Sequence, residues 1–150
     1  MNFFRNTSFL IILSGLTCGN IQDNNWVSYQ KSILSPQVNP DTLVLFFTIN
    51  QGFHIQSHKP EDDLLIPTEL YLQETNNLSF GSPAFPEPEY FYVGNFKTLV
   101  FSNELIVKVP LIYSGKLNQN SIFGKLKYQP CNNQKCFFPR ELSFKIDIIN

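Results

Sequence analysis

The sequence predicts an all-β chain folded as one antiparallel β-sandwich, and three observations carry that prediction. Ala84 is the only alanine in 150 residues, set against fifteen Phe, six Tyr and sixteen Asn. A chain almost without the best helix former, and rich in aromatic and turn residues, does not build mainly helices. Beyond residue 20 the apolar residues recur with period two rather than the helical period of about 3.6. The resulting short runs are divided by turn residues roughly every 8–12 positions, the spacing of sandwich strands. With 43% hydrophobic residues and a net charge of −1, the chain has enough apolar surface for one real core and too little charge for disorder. It has no excess of Lys or Arg to neutralise phosphates, so nucleic acid is not an expected partner.

Taken in order, residues 1–19 (MNFFRNTSFLIILSGLTCG) start with the cation Arg5, pass through an apolar run from Phe9 to Leu13, and end in small residues. That pattern is a secretory signal, too short in its apolar part to span a bilayer. The mature domain is expected over 20–150, soluble, and periplasmic or secreted. Cys18 is a candidate for lipid acylation, as in bacterial lipoproteins, although Gly15-Leu16-Thr17 is a poor lipobox. Cleavage near Gly19 and an uncleaved first strand are the rival readings, and membrane association is expected only with a lipid on Cys18.

Thr42–Ile49 (TLVLFFTI) is apolar on both faces and reads as a central strand. Asn50-Gln51-Gly52 reads as a turn into a returning strand, Phe53–Ser57. Another strand is expected over Thr68–Gln73, after Pro67. Gly81–Glu89 (GSPAFPEPE) holds three prolines that cannot donate to a ladder, which makes it an ordered surface loop or an edge before Tyr90-Phe91-Tyr92. Leu142–Ile148 alternates apolar with polar, Leu105, Val107, Val109 and Leu111 alternate less cleanly with Ile106, Lys108, Pro110 and Ile112, and Ile122, Gly124, Leu126 and Tyr128 alternate with Phe123, Lys125 and Lys127, for about eight strands in all and no second domain.

Cys131 and Cys136 stand in Tyr128-Gln129-Pro130-Cys131-Asn132-Asn133-Gln134-Lys135-Cys136-Phe137-Phe138-Pro139, between two of those strands. Asn132-Asn133 favours a turn, so the cysteines flank a hairpin tip, where facing Cβ atoms suit a disulfide in an oxidising compartment. Such a bridge is either a staple or a reagent. As a staple it closes a loop of about six residues, worth roughly 2 kcal/mol, and less if the hairpin already holds its ends together. Pro130 and Pro139 stiffen the flanks, and Tyr128, Phe137 and Phe138 are placed to shield the sulfurs, which suits exchange with a partner thiolate. Lys135 is a candidate to stabilise a thiolate, or simply a solvated tip residue.

This segment, YQPCNNQKCFFP, resembles the cysteine hairpin of the N-terminal periplasmic domain of the thiol:disulfide interchange protein DsbD. Gly52-Phe53-His54-Ile55, Leu65-Ile66-Pro67-Thr68, Phe85-Pro86-Glu87-Pro88 and Val109-Pro110-Leu111 extend the resemblance in the family's order over roughly residues 25–148. It implies an immunoglobulin-like sandwich that relays electrons from a thioredoxin-like donor to periplasmic thiol proteins, without a cofactor. It also implies that Cys136 forms the mixed disulfide and that Cys131 resolves it. A loop bearing an aromatic residue caps the pair in the family, and here Pro86–Val93 would supply it through Phe91 or Tyr90. The C-x4-C spacing is one residue shorter than in the best-known members, and the cap loop aligns only with gaps. The family's membrane and thioredoxin-like domains are not in this sequence, so a membrane electron transporter is expected in trans. If active, the chain is an oxidoreductase-type interchange protein; the alternative is a secreted immunoglobulin-like interaction module with a structural bridge.

His54 and His58 are four apart, which on an extended strand puts them on one face and, with the two cysteines, makes a Cys₂His₂ set. The short ligand spacings of zinc modules are missing, so no metal is expected. His54 reads instead as part of the disulfide's polar surroundings, and His58 as a loop residue before Lys59-Pro60. Glu61-Asp62-Asp63 lacks the spacing of calcium loops and reads as a solvated acidic turn. The sequon at Asn77-Leu78-Ser79 matters only in a eukaryotic secretory route.

Overall fold

The computed structural model describes residues 26–35, 41–114 and 120–148. Residues 1–19, expected to be an export signal, and Cys18 within them lie outside the described residues. All regular structure among the described residues is β, in eleven strands: β1 (Val27–Ser35), β2 (Thr42–Ile49), β3 (His54–Gln56), β4 (Glu69–Leu72), β5 (Leu78–Phe80), β6 (Glu89–Val93), β7 (Phe96–Ser102), β8 (Glu104–Tyr113), β9 (Ser121–Tyr128), β10 (Pro130–Cys131) and β11 (Arg140–Asp147). The count exceeds the eight expected because pieces as short as β5 and β10 carry too few residues to show a period. Every pairing is antiparallel, in three sheets ordered β1-β2-β8-β5, β11-β9-β4 and β10-β3-β7-β6.

Period two does in the fold what it does in the sequence. Leu43, Leu45, Phe47 and Ile49 of β2, and Leu105, Val107, Val109 and Leu111 of β8, point to one side. They share a single core with Ile122, Leu126 and Tyr128 of β9 and Phe144 and Ile146 of β11, so the first two sheets close face to face. β2 is central, between β1 and β8, but only one of its faces is fully buried; on the other, the Lys31 ammonium covers the Phe46 ring at 5.1 Å. Where β9 crosses Phe144, only glycine fits: a Cβ on Gly124 would stand 2.4 Å from the Phe144 ring. That close approach lets the ring stack on Tyr29, with centroids 4.8 Å apart.

One expectation needs correction. Gly52, at φ +84°, does turn the chain after β2, and the Phe53 N–H donates to the Asn50 carbonyl at 3.1 Å. The following strand does not return to β2, whose two edges are already taken by β1 and β8. It crosses instead to the third sheet and pairs with β7 and β10. The proline stretch lies along β8: the Gly81 N–H donates to the Pro110 carbonyl at 2.9 Å, and Ala84 exchanges bonds of 2.7 and 3.0 Å with Lys108. Its three prolines fall at positions that bond to no ladder.

The third sheet grows out of the sandwich at two points. β9 runs through Gln129 into β10, and β7 turns into β8 through Asn103, a residue type that tolerates its φ of +60°. The Asn103 carbonyl accepts the Ile49 N–H at 2.7 Å, tying this junction to β2.

Candidate functional site

The hairpin between β9 and β11 ends in the two cysteines. After the Tyr128–Arg140 pair one arm carries two residues to Cys131 and the other three to Cys136, an irregularity at Pro130 and Pro139. Cys131 and Cys136 then face each other between two backbone bonds, Asn132 N–H to Lys135 carbonyl (2.9 Å) and Phe137 N–H to Pro130 carbonyl (2.8 Å). This is a non-hydrogen-bonded pair, the position that brings facing side chains closest, and a disulfide joins the sulfurs. The tip is an Asx turn in which Asn132 Oδ1 accepts the N–H groups of Gln134 and Lys135, each at 2.9 Å.

The two sulfurs are not equivalent. Cys131 is 1% exposed, because β10 pairs with β3, whereas Cys136 on the free arm is exposed. Register sets Cys131 opposite His54, so His54 and Gln56 share its side of the sheet while Ile55 turns to the core. Gln56 is as buried as Cys131 and is fully engaged: Nε2 donates to Cys131 Sγ at 3.3 Å and to Cys136 Sγ at 3.7 Å, and Oε1 accepts from Thr98 Oγ1 at 2.9 Å. Above them the β6–β7 hairpin closes a cleft of about 260 Å³, lined by His54, Gln56, Leu65, Phe91, Phe96 and both cysteines. Gln129 braces the far side, with Oε1 accepting the Ile66 N–H at 3.1 Å and Nε2 donating to the Phe137 carbonyl at 3.3 Å. Burial pushes the His54 imidazole below its ordinary pKa, against a weaker opposing pull from the Glu89 carboxylate.

Of the two aromatic residues expected to cap the pair, the structure brings Phe91 to it. Its ring lies 4.0 Å from that of His54, centroid to centroid. Tyr90 points to the opposite face of β6, where its hydroxyl reaches Glu61 at 3.4 Å and its ring carries the Lys97 ammonium at 3.6 Å. Phe137 adjoins Cys136 but turns its ring onto Trp26 (5.0 Å) and Phe53 (6.1 Å), anchoring the exposed arm. Tyr128 is placed in the main core and Phe138 is 85% exposed, so shielding of the sulfurs comes from β3 and β6 rather than from these neighbours in sequence. The Lys135 ammonium sits 5.0 Å over the Phe137 ring. His58 parts from His54 because β3 ends at Gln56; it stacks on Phe85 (4.8 Å) and Phe101 (6.0 Å), and burial lowers its pKa also. Among the described residues no group of His, Cys, Asp and Glu is arranged to hold a metal.

Gln56, Thr98 and Trp26 were not singled out by the sequence. Gln56 had a signal: two residues beyond His54 on one strand, it had to share His54's face.

The family model described as thiol:disulfide interchange protein DsbD, N-terminal, matches residues 24–148. The chain belongs to that family. Two solved structures with TM-scores above 0.5 agree with the architecture. The N-terminal periplasmic domain of ScsB from Proteus mirabilis superposes with a TM-score of 0.52 at 16% identity, over 81% of this chain and 44% of that one. The match thus spans less than half of the ScsB domain. The reduced DsbD N-terminal domain of Neisseria meningitidis gives 0.51 at 20% identity, over 81% and 86%. The complex of the DsbD N-terminal and PilB N-terminal domains from the same organism gives 0.49 at 20%, over 77% and 80%. No curated protein sequence matches the chain. At these identities the likeness is one of fold, and the sandwich is the immunoglobulin-like sandwich of DsbD N-terminal domains.

Proposed function

We propose that this domain exchanges its Cys131–Cys136 disulfide with the thiols of thioredoxin-like proteins in the periplasm. The observation that carries the reading is the asymmetry of the pair: an exposed Cys136 on the free arm of a hairpin tip, joined to a buried Cys131. A partner thiolate reaches Cys136 Sγ. The bond between partner sulfur and Cys136 forms, the Cys131–Cys136 bond breaks, and Cys131 leaves with the electron pair. A second thiol of the partner then attacks its own sulfur in the mixed disulfide and releases Cys136. Two electrons have moved, the partner carries the disulfide, and the domain holds a dithiol that reduces the next protein by the reverse sequence. Phe91 and Phe96 form an apolar rim around the point of attack. A membrane electron transporter fits as the source of electrons for the donor. Residues 1–19 fit as the export signal, and acylation at Cys18 would tether the domain to a membrane surface.

The staple reading is disfavoured by the backbone, since bonds on either side of the cysteines already close the hairpin. The test is trapping. Cys131→Ser should accumulate mixed disulfides through Cys136 when incubated with an oxidised thioredoxin-like protein or periplasmic extract. Recovery of none, together with a reduction potential below about −300 mV for the native pair, would return the bridge to a structural role.

A further inference from the structure

We propose that Gln56, held by Thr98, is the hydrogen-bond donor that makes Cys131 the departing sulfur when a thiolate attacks Cys136; this rests on the exchange reading above. Disulfide sulfurs carry no hydrogen, so only the amino group of Gln56 can bond to them, and the hydroxyl of Thr98 on Oε1 completes that orientation. The amide therefore points a fork of two N–H groups at the bridge, the shorter arm on Cys131.

Burying a glutamine needs a reason, because an amide taken out of water is unfavourable unless all its hydrogen bonds are remade. A leucine would pack against an inert staple equally well. Bonds from an amide to the neutral sulfurs of a disulfide are weak, whereas a bond to a thiolate is charge-assisted. Gln56 thus interacts more strongly with the product of the attack than with the reactant. The partner thiolate bonds to Cys136 Sγ, the Cys131–Cys136 bond breaks, and the electron pair stays on Cys131 Sγ, where Nε2–H meets it. Burial alone would raise the Cys131 thiol pKa and make it a poor leaving group; the amide offsets that. Thr98 contributes by holding the amide in register, so it is a positioning residue.

The measurement is the acidity of Cys131 in a Cys136→Ser background, read from thiolate absorbance or from the pH dependence of alkylation. Adding Gln56→Leu should lower the acid dissociation constant about tenfold, the size expected for one hydrogen bond to a charge. Thr98→Val should lower it in the same direction by less, and Thr98→Ser, which keeps the hydroxyl, should leave it in place. A folded Gln56→Leu protein with unaltered Cys131 acidity overturns the inference, as does a Thr98→Val protein no different from Thr98→Ser. If Gln56→Leu does not fold, the Thr98 pair decides alone. These readings need no partner, whereas trapping through Cys136 in Cys131→Ser involves no Cys131 thiol. Lowered acidity without trapping supports the donor and removes the exchange; trapping with unaltered acidity does the opposite.

Discussion

The ring of Phe91 rests on that of His54, with centroids 4.0 Å apart and planes inclined at 36°. This contact joins the β6–β7 hairpin to β3, and both rings line the cleft over the sulfurs.

An aromatic pair of this kind contributes about 0.5–1.5 kcal/mol beyond its buried area. Phe91→Ala should therefore open the cleft and speed reduction of the disulfide by a small thiol such as dithiothreitol, by roughly 2- to 10-fold. Tyr90→Ala, on the other face of β6, should leave the rate near that of the native protein. Equal rates for Phe91→Ala and native protein would show that the hairpin does not cover the bridge.

His54 and His58 both have pKa values lowered from the ordinary 6.5, each chiefly by burial. The unfolded chain therefore binds more protons than the folded one as pH drops through 6.5, and stability rises with pH across that window. Stability present above that value is lost as pH falls towards the two folded-state pKa values. The urea midpoint should be lower at about pH 5.5 than at about pH 7.5, and His54→Gln with His58→Gln should shrink the difference. A midpoint independent of pH over that range would contradict the burial of both imidazoles in neutral form.

A bridge across so short a loop stabilises little. Denaturant unfolding of oxidised and reduced protein should differ by no more than about 2 kcal/mol, because backbone bonds on either side of Cys131 and Cys136 already close the short loop. A loss of about 4–5 kcal/mol would mark the bridge as a staple on which the fold depends.

Much of this was legible one strand at a time. Alternation in Leu105–Ile112, Ile122–Tyr128 and Leu142–Ile148 located β8, β9 and β11, since a strand with one face in a core must repeat every second residue. The hairpin tip was legible because Asn132 and Asn133 are local turn formers and the cysteines are near in sequence. Gln56 was harder to see. Its partners Thr98, Cys131 and Cys136 lie far along the chain, and no local pattern announces them. His58 was read correctly as a loop residue, since period two holds only while the strand lasts and β3 ends two residues earlier.

By itself, then, the sequence determined the all-β class, the sandwich and the pairing of Cys131 with Cys136, all consequences of periodicity and turn chemistry over a few neighbouring residues. Tertiary structure alone decided which sulfur is buried and which is exposed. It sent β3 away from β2 to pair with β10, because the edges of β2 were occupied. That single crossing covers Cys131, sets Gln56 beneath both sulfurs and leaves Cys136 open. Such a choice depends on which edges are free once the sandwich has closed, and no stretch of adjacent residues encodes it.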